Sequence, residues 1–230
     1  MSPAVAEVRR AVRVVLAERA GERVIAALSG GADSLALTAA AAHEATAANV
    51  AVTAVIVDHG LQDGSADIAE QAATQARALG VDAIVVAADV ERNHADGPEA
   101  AAREARYAAL ERVAAEVGAS AILLGHTRDD QAETVLLGLA RGSGAASLMG
   151  MAPVTGLRVR PMLDVSRETT RAACAAEGLA PWHDPHNTDP SFARVRVRTT
   201  VLPVLEAELG PGIAEALART AEQLREDHDA

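Results

Sequence analysis

The sequence predicts a doubly wound α/β domain: a mostly parallel sheet of about five strands with helices on both faces, and a helical extension from about residue 142. Three observations predict it. Strand and helix signals alternate through the first two-thirds of the 230 residues. The strand signals are apolar along their whole length, as in Val50–Val57 (VAVTAVIV), the pattern of parallel strands buried on both faces. The helical stretches close on glycines, Gly80 and Gly118, where a left-handed residue ends a helix. Strands separated by helices of this length build right-handed βαβ units. A ligand then sits beyond the carboxyl ends of the strands, where the strand order reverses.

The elements follow in order. Met1–Ala20 interleaves Glu7, Arg9, Arg10, Arg13, Glu18 and Arg19 with apolar residues, an amphipathic helix rather than a signal peptide. Arg23–Leu28 is a strand ending in Ser-Gly-Gly, and Ser34–Ala48 an alanine-rich helix. Val50–Val57 is a strand, Ser65–Leu79 a helix and Val81–Ala87 a strand. Pro98–Val117 is a long helix, with proline suited to its first turn, and Ser120–Leu124 a strand ending in Gly-His. Asp129–Leu139 is helical. Gly142–Gly150 is glycine-rich. Ser166–Glu177 is a helix capped by Ser166. Ala180–Phe192, rich in Pro, Asp, Asn and His, is a loop. Ala193–Leu209 is helical, with Pro203 starting a new helix or kinking this one, and Ile213–Asp227 is helical again. Residues 1–209 are expected to form the catalytic domain, and residues 210–230 a helix that begins a linker.

Composition narrows the function. One cysteine, Cys174, excludes a disulfide scaffold and any cysteine-rich metal site or iron–sulfur cluster within one chain. No apolar run approaches the ~18 residues of a membrane span, so a cytoplasmic protein with no membrane partner is expected. The formal net charge of −11 argues against a generally basic nucleic-acid binder. All 21 basic residues are arginine, however, and seven of them lie between Arg158 and Arg198 against five acidic residues, leaving room for a local basic patch.

The strongest chemical signal is Ser29-Gly30-Gly31-Ala32-Asp33-Ser34, directly after a strand and opening a helix. Adjacent glycines let the backbone turn tightly and approach a ligand. The N–H groups of the turn and of the first helical turn converge, and the helix dipole favours an anion there. Ser29 and Ser34 add hydroxyl donors. The segment lacks the Gly-Lys-Ser/Thr of a Walker loop. His126, Asp130 and Glu133, spaced at i, i+4 and i+7, would share one helix face at the mouth of the sheet. Carboxylates there can hold Mg²⁺ or deprotonate an attacking amine; the alternative is a solvated acidic helix start. Arg103 and Arg106, three apart on a helix, either bind RNA phosphates or pair with surface acids such as Glu99. His59 either touches nucleotide or caps its strand. Of Arg194, Arg196 and Arg198, at least one is expected to face the site, with Arg198 the choice. Trp182 reads as packing and Cys174 as a small core residue.

The six-residue loop resembles the pyrophosphate loop of the N-type ATP pyrophosphatases, the PP-loop family. Further motifs follow in order: Val57-Asp58-His59-Gly60-Leu61; Gly97, Glu99, Arg103, Arg106 and Tyr107; Gly125-His126-Thr127-Arg128-Asp129-Asp130-Gln131-Ala132-Glu133-Thr134; Arg141-Gly142-Ser143-Gly144; Arg160-Pro161-Met162-Leu163; Ser166-Arg167-Glu168; Trp182, Asp184, Pro185 and Asn187; and Arg194, Arg198 and Pro203. This series, from about Arg23 to about Leu205, is similar to the tRNA(Ile)-lysidine synthetase branch of that family. Val195 stands where that branch usually has asparagine.

The resemblance implies an AMP-forming ligase. ATP would adenylate the wobble cytidine of an isoleucine tRNA with a CAU anticodon, and free L-lysine would displace AMP, so that the tRNA decodes AUA. It implies ATP and Mg²⁺ as cofactors. Ser29, Gly30, Gly31, Asp33, Ser34, His59 and Gly125 would be at the nucleotide, and Asp33 and Asp130 at the metal. Asp33, His126, Asp130, Glu133 and Arg198 would carry catalysis, and Arg103, Arg106, Arg194 and Arg196 would contact RNA. A homodimer stays open. So do two other readings: another PP-loop adenylating enzyme (a tRNA thiolase or a small-molecule amidotransferase), and a regulatory module that binds ATP without turning it over.

Overall fold

The computed structural model describes residues 2–58, 60, 64–88, 98–142 and 144–229. Among these residues one sheet carries six strands: β1 (Arg23–Ala27), β2 (Ala51–Asp58), β3 (Asp82–Ala87), β4 (Ala121–Leu123), β5 (Val154–Thr155) and β6 (Arg158–Val159). Their order is β3-β2-β1-β4-β6-β5, every pair parallel except β5 with β6. Among the described residues the ten α-helices are α1 (Pro3–Ala17), α2 (Ala32–Ala48), α3 (Ser65–Ala78), α4 (Pro98–Val117), α5 (Arg128–Ala140), α6 (Ala145–Leu148), α7 (Arg167–Ala176), α8 (Ala193–Arg196), α9 (Leu202–Leu209) and α10 (Ile213–Asp229).

The strand pleat divides the apolar residues between two faces. Val24, Ala54, Ile56, Ala121 and Leu123 pack with α1, α2, α3 and α7, through residues such as Val8, Leu16, Leu37, Ala73 and Cys174. The intervening Ile25, Val55, Ile122 and Leu124 pack with Leu110, Val113 and Ala114 of α4. A chain with 1% aromatic residues fills this space by close approach. Ala36, Ala40, Ala41, Ala72, Ala73 and Ala76 are all buried, so α2 and α3 lie tight against the sheet.

The chain runs outward from β1 to β2 and β3, then returns through α4 to β4 on the other side of β1. The order therefore reverses between β1 and β4, and the loops after these two strands lie side by side, where such sheets bind ligands. Gly125 marks the contact: a Cβ there would lie 3.0 Å from both Cα and N of Ser34.

The sixth strand belongs to a hairpin inside the expected helical extension. Thr155 pairs with Arg158 across Gly156-Leu157, and Gly156 has φ +57°. Glycine at the first position of a two-residue loop is a tight-hairpin signature, but two-residue strands leave no period to read. The glycine-rich stretch is pinned to α5. Gln131, buried, donates to the Met151 carbonyl (2.9 Å) and accepts from the Met151 N–H (2.6 Å). A Cβ on Gly138 would meet the Ser147 carbonyl oxygen at 2.5 Å. Residues 193–209 form one continuous helical run, with a π-type turn over Val197–Val201 just before Pro203, a local widening common at functional sites. α10 lies along α5, tied to it by Arg128–Glu215 at 2.7 Å, and Arg225 donates to the Met149 carbonyl at the end of α6. No helix among the described residues is long and apolar enough to cross a membrane.

Candidate active site

The loop after β1 is held from outside by its backbone. Gly30 has φ +84°, which only glycine adopts without strain. Its carbonyl accepts the Trp182 N–H at 2.9 Å. Gln75 of α3 fastens the same strap, donating to the Ala180 carbonyl (3.0 Å) and accepting the Ala180 N–H (3.1 Å). The Ser34 hydroxyl donates to the Gly31 carbonyl (3.0 Å), accepts the Ser29 N–H (3.1 Å) and lies 3.1 Å from the Ser29 hydroxyl. Gly31, the extended N-cap of α2, offers no side-chain cap. No N-cap side chain therefore covers the first-turn N–H groups of α2, and the arrangement is suited to an anion.

Asp33, in that first turn, meets two residues of one other helix, α7. Its Oδ1 accepts from the Thr170 hydroxyl of α7, and its Oδ2 lies 3.7 Å from Nε of Arg167. Arg167 is the first residue of α7, after the Ser166 cap that accepts the Thr169 N–H at 3.0 Å. Its guanidinium reaches Asp130 Oδ1 (2.7 Å), Glu133 Oε1 (3.0 Å) and Asp129 Oδ1 (3.9 Å), and its N–H donates to Asp129 Oδ2 at 2.8 Å. Asp130 Oδ2 accepts from the N–H (2.8 Å) and hydroxyl (2.9 Å) of Thr127, the residue before α5. Glu133 has no exposed surface. Arg198 grips it bidentately, Nε to Oε1 at 2.7 Å and Nη2 to Oε2 at 3.1 Å, and Arg194 Nη1 lies 3.4 Å from Oε2.

The charges follow from this packing. Burial raises the Asp33 carboxyl above its ordinary range; Thr170 and Arg167 pull it down and Asp130 pushes it up. Burial works against ionisation of Asp130 too, but Arg167 and the Thr127 hydrogen bonds win, and Asp130 is held below its ordinary value. Burial lowers His126 to about 4, with Asp130 opposing and Arg160 assisting. His126 is therefore a neutral imidazole at pH 7, with a buried Nδ1 that makes no hydrogen bond among the described residues.

The helix-face expectation for His126 is corrected: α5 begins at Arg128 with Thr127 as its cap. His126 precedes the helix, and only Asp130 and Glu133 lie on it. The four RNA candidates separate in space. Arg194 joins the buried cluster. Arg196, exposed, donates to the Pro190 and Ser191 carbonyls, both at 2.7 Å. Arg103 lies over the Tyr107 ring at 5.3 Å, with Arg158 over the same ring at 4.6 Å; the two arginines and Tyr107 line a groove of about 400 Å³. Arg106 is exposed on the same helix. His59 lies outside the described residues.

Residues 5–205 match the family described as the PP-loop domain. A tRNA(Ile)-lysidine synthase of Leifsonia xyli subsp. xyli is 62% identical over 210 residues, covering 91% of this chain and 63% of that protein. One of Thermobifida fusca is 58% identical over 229 residues, covering 99% and 70%. The chain belongs to the tRNA(Ile)-lysidine synthase family. It spans about two thirds of the length of these relatives. The U34-tRNA thiolase NcsA of Methanococcus maripaludis, with its 4Fe-4S cluster, superposes with a TM-score of 0.80 at 20% identity over 97% of this chain and 80% of that one; that likeness concerns the fold.

Within this lysidine synthase family chain, sequence reasoning left three site residues without a role: Arg167, Thr170 and Asp129. One signal for Arg167 existed. A cation in the first turn of a helix opposes the helix dipole, so Arg167 directly after the Ser166 cap needs an anionic partner from elsewhere.

Proposed function

We propose that this chain ligates L-lysine to C2 of the wobble cytidine of CAU-anticodon isoleucine tRNA, consuming ATP and releasing AMP and pyrophosphate. One observation carries the reading: Asp33 at the PP-loop and the Asp130–Glu133–Arg198 cluster converge on a single guanidinium, that of Arg167. The names of relatives at 51–62% identity support it.

In this reading the α2 N-terminus receives the phosphates, and its dipole favours charge building up on the departing pyrophosphate. Asp33, in the first turn of α2 where the phosphates would sit, is the carboxylate assigned to Mg²⁺; its Oδ2 lies 3.7 Å from Arg167 Nε, too far for a hydrogen bond. Mg²⁺ is commonly held by one or two carboxylates plus substrate phosphates. Asp130 would first have to release Thr127 or Arg167. Bound there, the ion would neutralise phosphate charge during adenylation of the cytidine C2 oxygen. The lysine ε-amine then forms the bond to C2 as the C2–O bond to AMP breaks. Asp130 and Glu133, with their oxygens committed, act by orienting arginines. Arg198 turns the guanidinium edge not held by Glu133 toward the reacting groups. His126, uncharged, can hydrogen-bond a nucleobase without adding charge. Arg103 and Arg106 on α4 would meet the anticodon-loop backbone.

The test is AMP release from Mg-ATP in four mixtures: no addition, L-lysine, unmodified CAU-anticodon isoleucine tRNA, and both. Many turnovers are expected only with both. Equal AMP release without lysine or without tRNA would overturn the reading.

A further inference from the structure

Arg167 is 8% exposed and contacts carboxylates from two other helices. From α2 comes Asp33; from α5 come Asp129, Asp130 and Glu133. Its five N–H donors form a rigid planar fork, so the side chain fixes directions as well as supplying charge. Glu133 has two oxygens and three guanidinium neighbours. Oε1 is shared by Arg167 Nη1 and Arg198 Nε, while Oε2 takes Arg198 Nη2. The orientation of Arg198 therefore depends on where Arg167 holds the Glu133 carboxylate. Thr170, one turn further along α7, holds Asp33, so the start of this one helix registers the PP-loop against α5.

We propose that Arg167 is a positioning residue of this site: its guanidinium, shared by Asp130, Glu133 and Asp33, sets Glu133 and through it Arg198 toward the reacting groups. The inference rests on the lysidine reading for the reaction it serves. The geometry separates two contributions of the side chain. Its positive charge keeps a site of clustered carboxylates tolerant of a polyanionic nucleotide, and lysine supplies the same charge. Its fork aligns Glu133, which a single ammonium does not reproduce.

The experiment compares the wild-type chain with Arg167→Lys, Arg167→Gln, Arg198→Gln and the Arg167→Lys/Arg198→Gln double variant. Three quantities are read: melting temperature, Mg-ATP dissociation constant from the emission of Trp182, and kcat and KM for AMP release with lysine and tRNA. Arg167→Lys is expected to keep ATP affinity within about threefold of wild type while kcat falls at least about thirtyfold, KM for tRNA hardly changing. Arg167→Gln should lose ATP affinity as well, by about tenfold or more. The double variant should be no more than about threefold slower than Arg198→Gln alone, since residues acting as a unit are non-additive. Losses that multiply in the double variant would overturn the proposal. So would a kcat for Arg167→Lys equal to wild type, or one that falls only as the folded fraction falls. A wild-type chain that is silent with lysine and tRNA while binding Mg-ATP would sink the lysidine reading instead. The charge half of the proposal would then still be decided by whether Lys, and not Gln, preserves ATP affinity.

Discussion

Glu133 shows how much one residue can carry. It is fully buried among Arg167, Arg194 and Arg198. A buried charge is tolerable only when paired and hydrogen-bonded, and removing one partner of such a group typically costs ~3–5 kcal/mol. Glu133→Ala should lower unfolding free energy by about that amount in urea titrations at pH 7; a change under about 1 kcal/mol would mean that the arginines find water or other acids at little cost. Asp33 belongs to a different class. It sits at the rim of a helix start, a quarter of its side chain exposed, with Thr170 as its hydrogen-bond partner. Asp33→Asn should keep the melting temperature within about 4 °C while AMP release falls at least about a hundredfold. Wild-type turnover in that variant would remove Asp33 from the nucleotide site.

Elements are joined here by a few specific contacts, and these make local predictions. Gln75 and the Ala180–Trp182 strap form an exposed clasp behind the PP-loop. Each such hydrogen bond contributes only ~0.5–1.5 kcal/mol net. Gln75→Ala should therefore leave the fold intact and weaken Mg-ATP binding several-fold, by loosening the Gly30 carbonyl from the Trp182 N–H. Equilibrium binding checks this, and unchanged affinity would make the clasp irrelevant to the loop. Gly138 is different in kind. A methyl there would press 2.5 Å from the Ser147 carbonyl oxygen, backbone that has little freedom to yield. Gly138→Ala should cost ~1–3 kcal/mol by overpacking, seen as a lower urea midpoint with an unchanged slope.

At the scale of the whole molecule, pH should show which charges were buried. His126 is lowered to about 4 by burial, whereas an unfolded histidine titrates near 6.5. Between those values the unfolded chain binds the extra proton, so stability falls as pH drops from about 6.5 toward about 4. Asp130 and Glu44, both held below their ordinary values in the fold, extend the loss at lower pH. In Glu44 the Arg13 hydrogen bonds at 2.7 and 2.9 Å lead, against the cost of burial. Asp33, held above its ordinary value, acts in the opposite sense. His126→Asn should flatten the stability profile between about pH 4 and 6.5 while leaving its lower limb in place. An unaltered slope there, measured by urea unfolding across that range, would mean that His126 is not the group responsible.

What was legible in the sequence had a local cause. The strand–helix alternation, the Ser166 cap and the Ser29–Ser34 loop between β1 and α2 each depend on neighbours within a few residues, through period, capping or left-handed backbone. The apolar strands of a doubly covered sheet follow from composition over a window of the same length. The β5–β6 hairpin is too short for any period, and the i, i+4, i+7 spacing carries His126 onto α5 because spacing does not reveal where a helix begins. The family motifs bring Asp33, Asp130, Glu133 and Arg198 to one expected site, but not the Arg167 guanidinium that joins them. Thr170 and Asp33 are 137 residues apart, and Arg167 and Glu133 are 34 apart. A partnership at such distances leaves no trace in local spacing. By itself the sequence determined the βαβ frame and the PP-loop. Only the tertiary structure decided that α7 brings Arg167 to the carboxylates of α2 and α5, because buried charges choose partners by distance and desolvation, which exist only once the chain has folded.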